Sequence, residues 1–255
     1  MAGSTRKFVL TGLMTSLVLV LTFILPVPVP YTSGYIHLGD SMIYISVIIL
    51  GPVYGAFASG VGSMLADLLA GYAQYAIPTL VIKSLMAMIM GLILSGRTKK
   101  ASFCSAGAAV AVWFVFTAGS VVYLKSMVSS KGIDALVSII AGEKAAEEAA
   151  ANAARMVNNL PVYLSVSLAI LIAVLSLIAW FITKKDGYKA FTLRAVIGMS
   201  AAGMCMVLGY FTVESFMYSP IAALMSVPMN MIQFFAGVVT ASLLAPVAGK
   251  FKIKE

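Results

Sequence analysis

At 255 residues, 61% of them hydrophobic and 10% charged, the chain departs from soluble domains, in which about 25% of residues are charged. Its apolar residues form long runs, and a helix needs about 20 such residues to cross a bilayer; an ordinary soluble domain is excluded. The net charge of +8 sits in short groups between those runs rather than on one solvated face, which is a topology signal and not a nucleic-acid footprint.

In chain order, Met1 to Lys7 and the apolar run after it have the outline of a signal peptide. The run ends in Pro26-Val-Pro28-Val-Pro30 without a small-residue cleavage site, so 8–25 is read as a first span. A Pro/Gly/Tyr loop follows over 26–40. Spans are expected at 41–50 and 52–71, hinged at Gly51-Pro52, then at 78–95 and 103–124. An outer alanine-rich stretch covers 125–159, helical over 134–156 and lying on the membrane surface or against its neighbours. Three more spans are expected at 160–183, 193–213 and 228–247. Cys104 and Cys205 lie within apolar runs and read as small packing residues.

The second and third spans together measure only about 45–50 Å of helix, so hydropathy leaves one or two crossings open. Basic residues decide. With two crossings, one side receives Arg6, Lys7, Arg97, Lys99, Lys100, Lys184, Lys185, Lys189, Arg194, Lys250, Lys252 and Lys254, twelve of the 17 basic residues. The other side receives Lys125, Lys131, Lys144 and Arg155, diluted by Asp134, Glu143, Glu147 and Glu148. The positive-inside rule therefore gives an all-α polytopic transmembrane helix bundle of eight spans, with both termini cytoplasmic.

Ionisable residues within spans mark functional sites by default. Asp40 opens the second span, Asp67 lies near the outer end of the third, Lys83 lies about 7–8 Å inside the fourth, and Glu214 closes the seventh. Asn230 and Gln233 are placed in the first turns of the eighth, on one face. His37 precedes Asp40 in the outer loop. Tyr31, Tyr35, Tyr72, Tyr75, Tyr210 and Tyr218 share that level. Such a set suits a small, flat, polar ring compound, stacked by aromatics and hydrogen-bonded at its edges. Most members also have a purely structural alternative. The tyrosines fit an interfacial belt, Lys83 fits snorkelling or a pair with Asp67, Asp40 fits a helix cap, and Asn230 and Gln233 fit interhelical bonding.

Other chemistry has little support. A single histidine excludes a multi-histidine metal site, and neither a phosphate-binding Gly-x-x-x-x-Gly-Lys-Ser/Thr loop nor a Gly-x-Ser-x-Gly elbow is present. No cofactor and no catalytic group is expected. Gly60-Val-Gly62-Ser63 reads as close helix packing rather than phosphate binding. Gly12 and Ser16, four apart on the first helix, permit another helix to approach closely, either from this chain or from a partner.

The stretch Gly34-Tyr-Ile-His-Leu-Gly-Asp40 continues through Leu50-Gly-Pro-Val-Tyr-Gly-Ala56, Gly62-Ser-Met-Leu-Ala-Asp67-Leu-Leu-Ala-Gly-Tyr72 and Pro78-Thr-Leu-Val-Ile-Lys83. With Pro228-Met-Asn230-Met-Ile-Gln233 near the end, it resembles the substrate-binding (S) components of energy-coupling factor (ECF) transporters. The likeness is greatest to the branch associated with hydroxymethylpyrimidine, pyridoxine and riboflavin-type vitamins. The resemblance covers about 6–100 and 190–250. It implies a capture subunit of the bacterial plasma membrane, with a vitamin-like ligand in a pocket near the outer face, roofed by the loop after the first helix. His37, Asp40, Asp67, Tyr72, Tyr75, Lys83, Tyr210, Glu214, Asn230 and Gln233 are the expected binding residues. A transmembrane T component and two cytoplasmic ATPases would supply the energy. Gly12 and Ser16, where the family commonly has alanines, would contact the T component, and the subunit would topple in the membrane to deliver its ligand. The family has six spans, so about 101–189 is expected to be an inserted helical hairpin with its outer Ala/Glu-rich segment. A stand-alone ion-coupled transporter of a small polar heterocycle is the alternative.

Overall fold

The computed structural model describes residues 2–96, 99–142, 147–184, 193–248 and 250–251. Among these the chain forms α1 (Ala2–Phe23), a hairpin of β1 (Val27–Val29) and β2 (Gly34–Ile36), α2 (Gly39–Leu50), α3 (Pro52–Leu69), a short 3-10 turn (Ala73–Tyr75), α4 (Ala76–Ser95), α5 (Lys99–Lys131), α6 (Ile133–Ala141), α7 (Glu147–Lys184), α8 (Leu193–Met217) and α9 (Pro220–Ala248). The architecture is the expected all-α polytopic membrane bundle. Five described segments are long and apolar enough to cross a membrane: Thr5–Phe23, Ala73–Ser95, Val110–Lys131, Arg194–Met217 and Pro220–Ala248. Large apolar side chains such as Phe8, Phe57, Leu92 and Leu243 point outward, as a lipid-facing surface requires.

The bundle is organised around α2. All 12 of its residues are buried, and α1, α3, α4 and α9 pack around it. At about 18 Å it is shorter than the ~30 Å hydrocarbon core, but it meets protein rather than lipid along its length. Gly51, at φ 77°, makes the turn into α3, and Pro52 takes the first position of that helix, where a missing N–H costs nothing. The expected hinge is therefore present.

Small residues set the distances between helices. A Cβ on Gly62 would lie 2.6 Å from the Thr15 carbonyl oxygen of α1, and one on Gly60 would lie 2.8 Å from the Leu80 carbonyl oxygen of α4. The Gly60-Val-Gly62 run thus serves close packing. Gly12 has open space around it and, with Ser16, lies on the exposed face of α1. Neither residue is packed against another helix among the described residues.

Besides shifts of a few residues at the ends of other helices, such as α5 running on to Lys131, two differences from the expected layout stand out. The outer Ala/Glu-rich stretch is not one helix apart from the spans. Gly132 (φ 80°) and Gly142 (φ 91°) isolate α6, which buries Leu136 and Ile140, one turn apart, against α7 and its neighbours. From Glu147 the stretch runs directly into the sixth span as α7, 38 residues long or about 57 Å. Tilted by 40°, about the upper limit for membrane helices, it would still span about 44 Å and extend past the hydrocarbon core. Among the described residues, the hairpin of α5 and α7 leans chiefly on α8 and α9. Trp113 meets Phe116 edge-on, and Phe116 in turn meets Phe211 of α8. The second difference is α9, which starts at Pro220 rather than Pro228. Ser219 accepts a hydrogen bond from the Ala222 N–H at 3.1 Å and caps the helix.

Several residues used for orientation lie outside those described: Arg97, Glu143, Lys144, Lys185, Lys189, Lys252 and Lys254. The side chains of Lys99, Lys100, Cys104 and Lys184 do too. Cys205 is free and half-buried.

Replacing Gly62 with Leu is expected to force α1 off α3 and to cost about 1–3 kcal/mol. A thermal melt of the purified subunit in detergent should show this as a drop of several degrees, whereas Gly12→Leu should melt like the parent.

Candidate functional site

The base of the site is an ion pair with no solvent contact. Lys83 Nζ of α4 donates to Asp40 Oδ1 of α2 at 2.5 Å, and both side chains are 0% exposed. Gln233 of α9 donates to Asp40 Oδ2 at 2.8 Å and accepts the His37 N–H at 3.1 Å. Met206 of α8 brings its sulfur to within 3.2 Å of both Lys83 Nζ and Gln233 Nε2. A buried charge needs a partner and satisfied hydrogen bonds to persist, and these four helices supply them. The arrangement rejects the cap reading of Asp40, because α2 has no side-chain cap. It also rejects the pairing of Lys83 with Asp67, since Lys83 pairs with Asp40.

Above this base lies a pocket lined by Val29, Gly34, Tyr35, His37, Asp67, Tyr75, Thr79, Tyr210, Glu214, Asn230 and Gln233. Its empty volume is about 360 Å³, open mouth included. The wall draws on the β1–β2 hairpin, α3, the 3-10 turn, α4, α8 and α9, all meeting at one end of the bundle. Tyr35 donates to Asp67 Oδ1 at 2.6 Å, and its ring lies 4.5 Å from that of Tyr72. The hydroxyls of Thr79 and Tyr210 pair at 3.0 Å. The Tyr75 hydroxyl donates to the Thr32 carbonyl at 2.5 Å and lies 3.3 Å from Glu214 Oε1. The Ser226 hydroxyl reaches Glu214 Oε2, and Asn230 Nδ2 approaches Ser226 Oγ at 3.4 Å.

His37 lies in the link between β2 and α2. Its Nδ1 accepts the Gly39 N–H at 3.0 Å, which leaves the proton of the neutral ring on Nε2. Burial, followed by the positive charge of Lys83, holds the imidazole far below its ordinary range, at about 3. The phenol of Tyr35 is pushed well upward by burial and then by the Asp67 charge, so it remains a donor.

Of the ten expected binding residues, His37, Asp67, Tyr75, Tyr210, Glu214, Asn230 and Gln233 stand in the pocket wall. Three do not. Asp40 and Lys83 form the base, and Tyr72 backs Tyr35 from outside. Asn230 is also deeper than expected, about 15 Å along α9 from Pro220, because the helix begins earlier. Tyr35 and Thr79 belong to the wall but were not among the ten. Tyr35 had a signal in its place at the level of the other tyrosines, whereas Thr79 had none, being a small polar residue one turn from Lys83. Of the remaining tyrosines, Tyr31 is partly buried and Tyr218 is exposed, both outside the wall.

Residues 2–158 match the model of the family described as ECF-type riboflavin transporter, S component. The matched part carries α1 to α6 and the start of α7; the pocket residues of α8 and α9 lie beyond it. A protein of Pyrococcus woesei described as an uncharacterized protein in a gap 3′ region is 43% identical over 81 residues, 32% of this chain and 54% of that protein. The chain thus spans about half the length of this curated relative. No solved structure matches.

Removing one partner of the ion pair should cost more than removing both. Lys83→Met leaves the Asp40 carboxyl buried and unpaired, at about 3–5 kcal/mol. Thermal melts should show Asp40→Asn/Lys83→Met recovering much of that loss. His37 adds a pH dependence. The unfolded chain takes up a proton near pH 6.5, while the folded ring resists until about 3. Stability from this group is therefore present above pH 6.5 and is lost as the pH falls below it. The melting temperature should drop between pH 7 and pH 5, and the drop should be smaller in His37→Asn.

Proposed function

We propose, from the fact that the chain belongs to the S-component family of ECF-type riboflavin transporters, that it is the high-affinity capture subunit of an ECF-type importer. It binds a small water-soluble vitamin or precursor, of hydroxymethylpyrimidine, pyridoxine or riboflavin type, at the outer face of the cell membrane. A T component and two cytoplasmic ATPases power the uptake. The observation that carries this reading is the pocket itself: polar and aromatic side chains from separate elements converge at one end of an otherwise apolar bundle. Pockets for small molecules combine an apolar setting with a few placed polar groups in this way. The sequence contains no phosphate-binding loop with which to hydrolyse ATP, so the energy comes from elsewhere.

The packing supports six core helices, α1 to α4 with α8 and α9, in one membrane domain, with α5 to α7 as an inserted hairpin at their side. Eight spans and cytoplasmic termini remain the reading of the basic residues. Gly12 and Ser16 offer a small-residue strip on the exposed face of α1, where a helix of the T component can approach closely.

The isolated subunit in nanodiscs should bind its ligand without partners, by calorimetry. Cells should accumulate the ligand only when the T component and both ATPases are co-expressed. Gly12→Leu/Ser16→Leu should keep ligand affinity within about twofold yet abolish co-purification and uptake. Accumulation by the subunit alone in liposomes, driven by an ion gradient, would replace this reading with the ion-coupled one.

A further inference from the structure

The balance of charge and hydrogen bonds in the pocket points to the chemistry of its ligand. The wall contains two carboxyl groups, those of Asp67 and Glu214, and no Lys or Arg among the described residues. The nearby cation, Lys83, is already committed to Asp40. Glu214 has a hydroxyl within reach of each oxygen, those of Tyr75 and Ser226, each shared with a backbone carbonyl. Asp67 differs. Its Oδ1 takes the Tyr35 hydroxyl, but Oδ2, on a residue 3% exposed, has no hydrogen-bond partner. The Thr79 hydroxyl lies close enough to interact with the carboxyl, but its nearest bond is to the hydroxyl of Tyr210, at 3.0 Å. A buried carboxylate oxygen without a donor is costly, and the residue that carries it lines the cavity.

We infer that the pocket selects a flat heterocycle carrying an amino or amidine-type nitrogen, cationic or readily protonated, whose N–H group bonds Asp67 Oδ2. This rests on the capture function proposed above and narrows its ligand class. The rings of Tyr35 and Tyr72 lie 4.5 Å apart beside Asp67, and those of Tyr75 and Tyr210, both in the wall, lie 6.4 Å apart. These aromatic groups suit both a ring face and a positive charge. A carbonyl in place of the amino group would direct its lone pairs at the carboxylate and leave only a ring N–H as donor on that edge. The selection is therefore of the kind that a built polar site makes strongly.

The test is calorimetric titration of the full chain in lipid nanodiscs with three probes. The first is 4-amino-5-hydroxymethylpyrimidine, the second is its 4-oxo counterpart, and the third is riboflavin. The amino probe should bind at least tenfold more tightly than the oxo probe, about 1.4 kcal/mol. Asp67→Asn should bring that ratio below threefold. Equal binding of the two pyrimidines, or riboflavin as the tightest ligand, would overturn the inference and leave the capture function standing. Failure of all three to bind would overturn the inference, and the capture function would then stand or fall by the co-expression uptake assay described above. The ratio in the unaltered protein decides the matter even where Asp67→Asn does not fold.

Discussion

The Lys83–Asp40 pair is the constraint on which the rest of the site depends. Two full charges at 2.5 Å with no solvent contact persist only while every neighbouring group stays in place. Gln233 holds the second oxygen of Asp40 and, through its own oxygen, the backbone of His37. Met206 closes the remaining side. One network therefore fixes α2, α4, α8 and α9 relative to each other and sets where the β1–β2 hairpin enters the bundle. The close approach of α9 to α2 belongs to the same arrangement, since a Cβ on Gly237 would lie 2.9 Å from that of Asp40.

Much of this was legible in the sequence because charge inside an apolar run has few explanations. Asp40, Asp67, Lys83 and Glu214 stood out by cost alone, and their shared level foretold that they would meet. The pairing did not follow from cost. Asp67 was the partner that the sequence offered for Lys83, and the structure gives Asp40 of α2 instead. Two boundaries were lost to competing signals. Pro228 looked like a helix start, yet Ser219-Pro220 is a better one, a capping hydroxyl followed by proline at the first position. The outer Ala/Glu-rich stretch looked separate because its composition changes at Leu160. Helix propensity does not stop there, and Pro161 interrupts the hydrogen-bond ladder of α7 without ending the helix.

The glycines show how one residue type serves opposite ends. Gly60 and Gly62 lie where any side chain would strike a neighbouring backbone, so they belong to the fold. Gly12 has no neighbour to strike, and its exposed position on α1 makes it a surface feature. Both look alike as small residues in an apolar helix, and only the direction they face separates packing within the chain from a surface open to another helix.

The two sides of the pocket are held by bonds of different strength. Below, the ion pair and its amide are buried on four helices, and removing either charge strands the other. Above, the hairpin crosses from Val29 to Gly34 through a turn in which Tyr31 and Ser33 adopt φ of 73° and 45°, a region that costs a side-chain-bearing residue about 1–2 kcal/mol. The Tyr75 hydroxyl holds this turn at the Thr32 carbonyl. That hydroxyl has one hydrogen, so a full bond to Thr32 leaves it none for Glu214. The roof thus carries strain and shares its donors, whereas the base does neither. A displacement that opens the pocket meets less resistance at the hairpin than anywhere along α2.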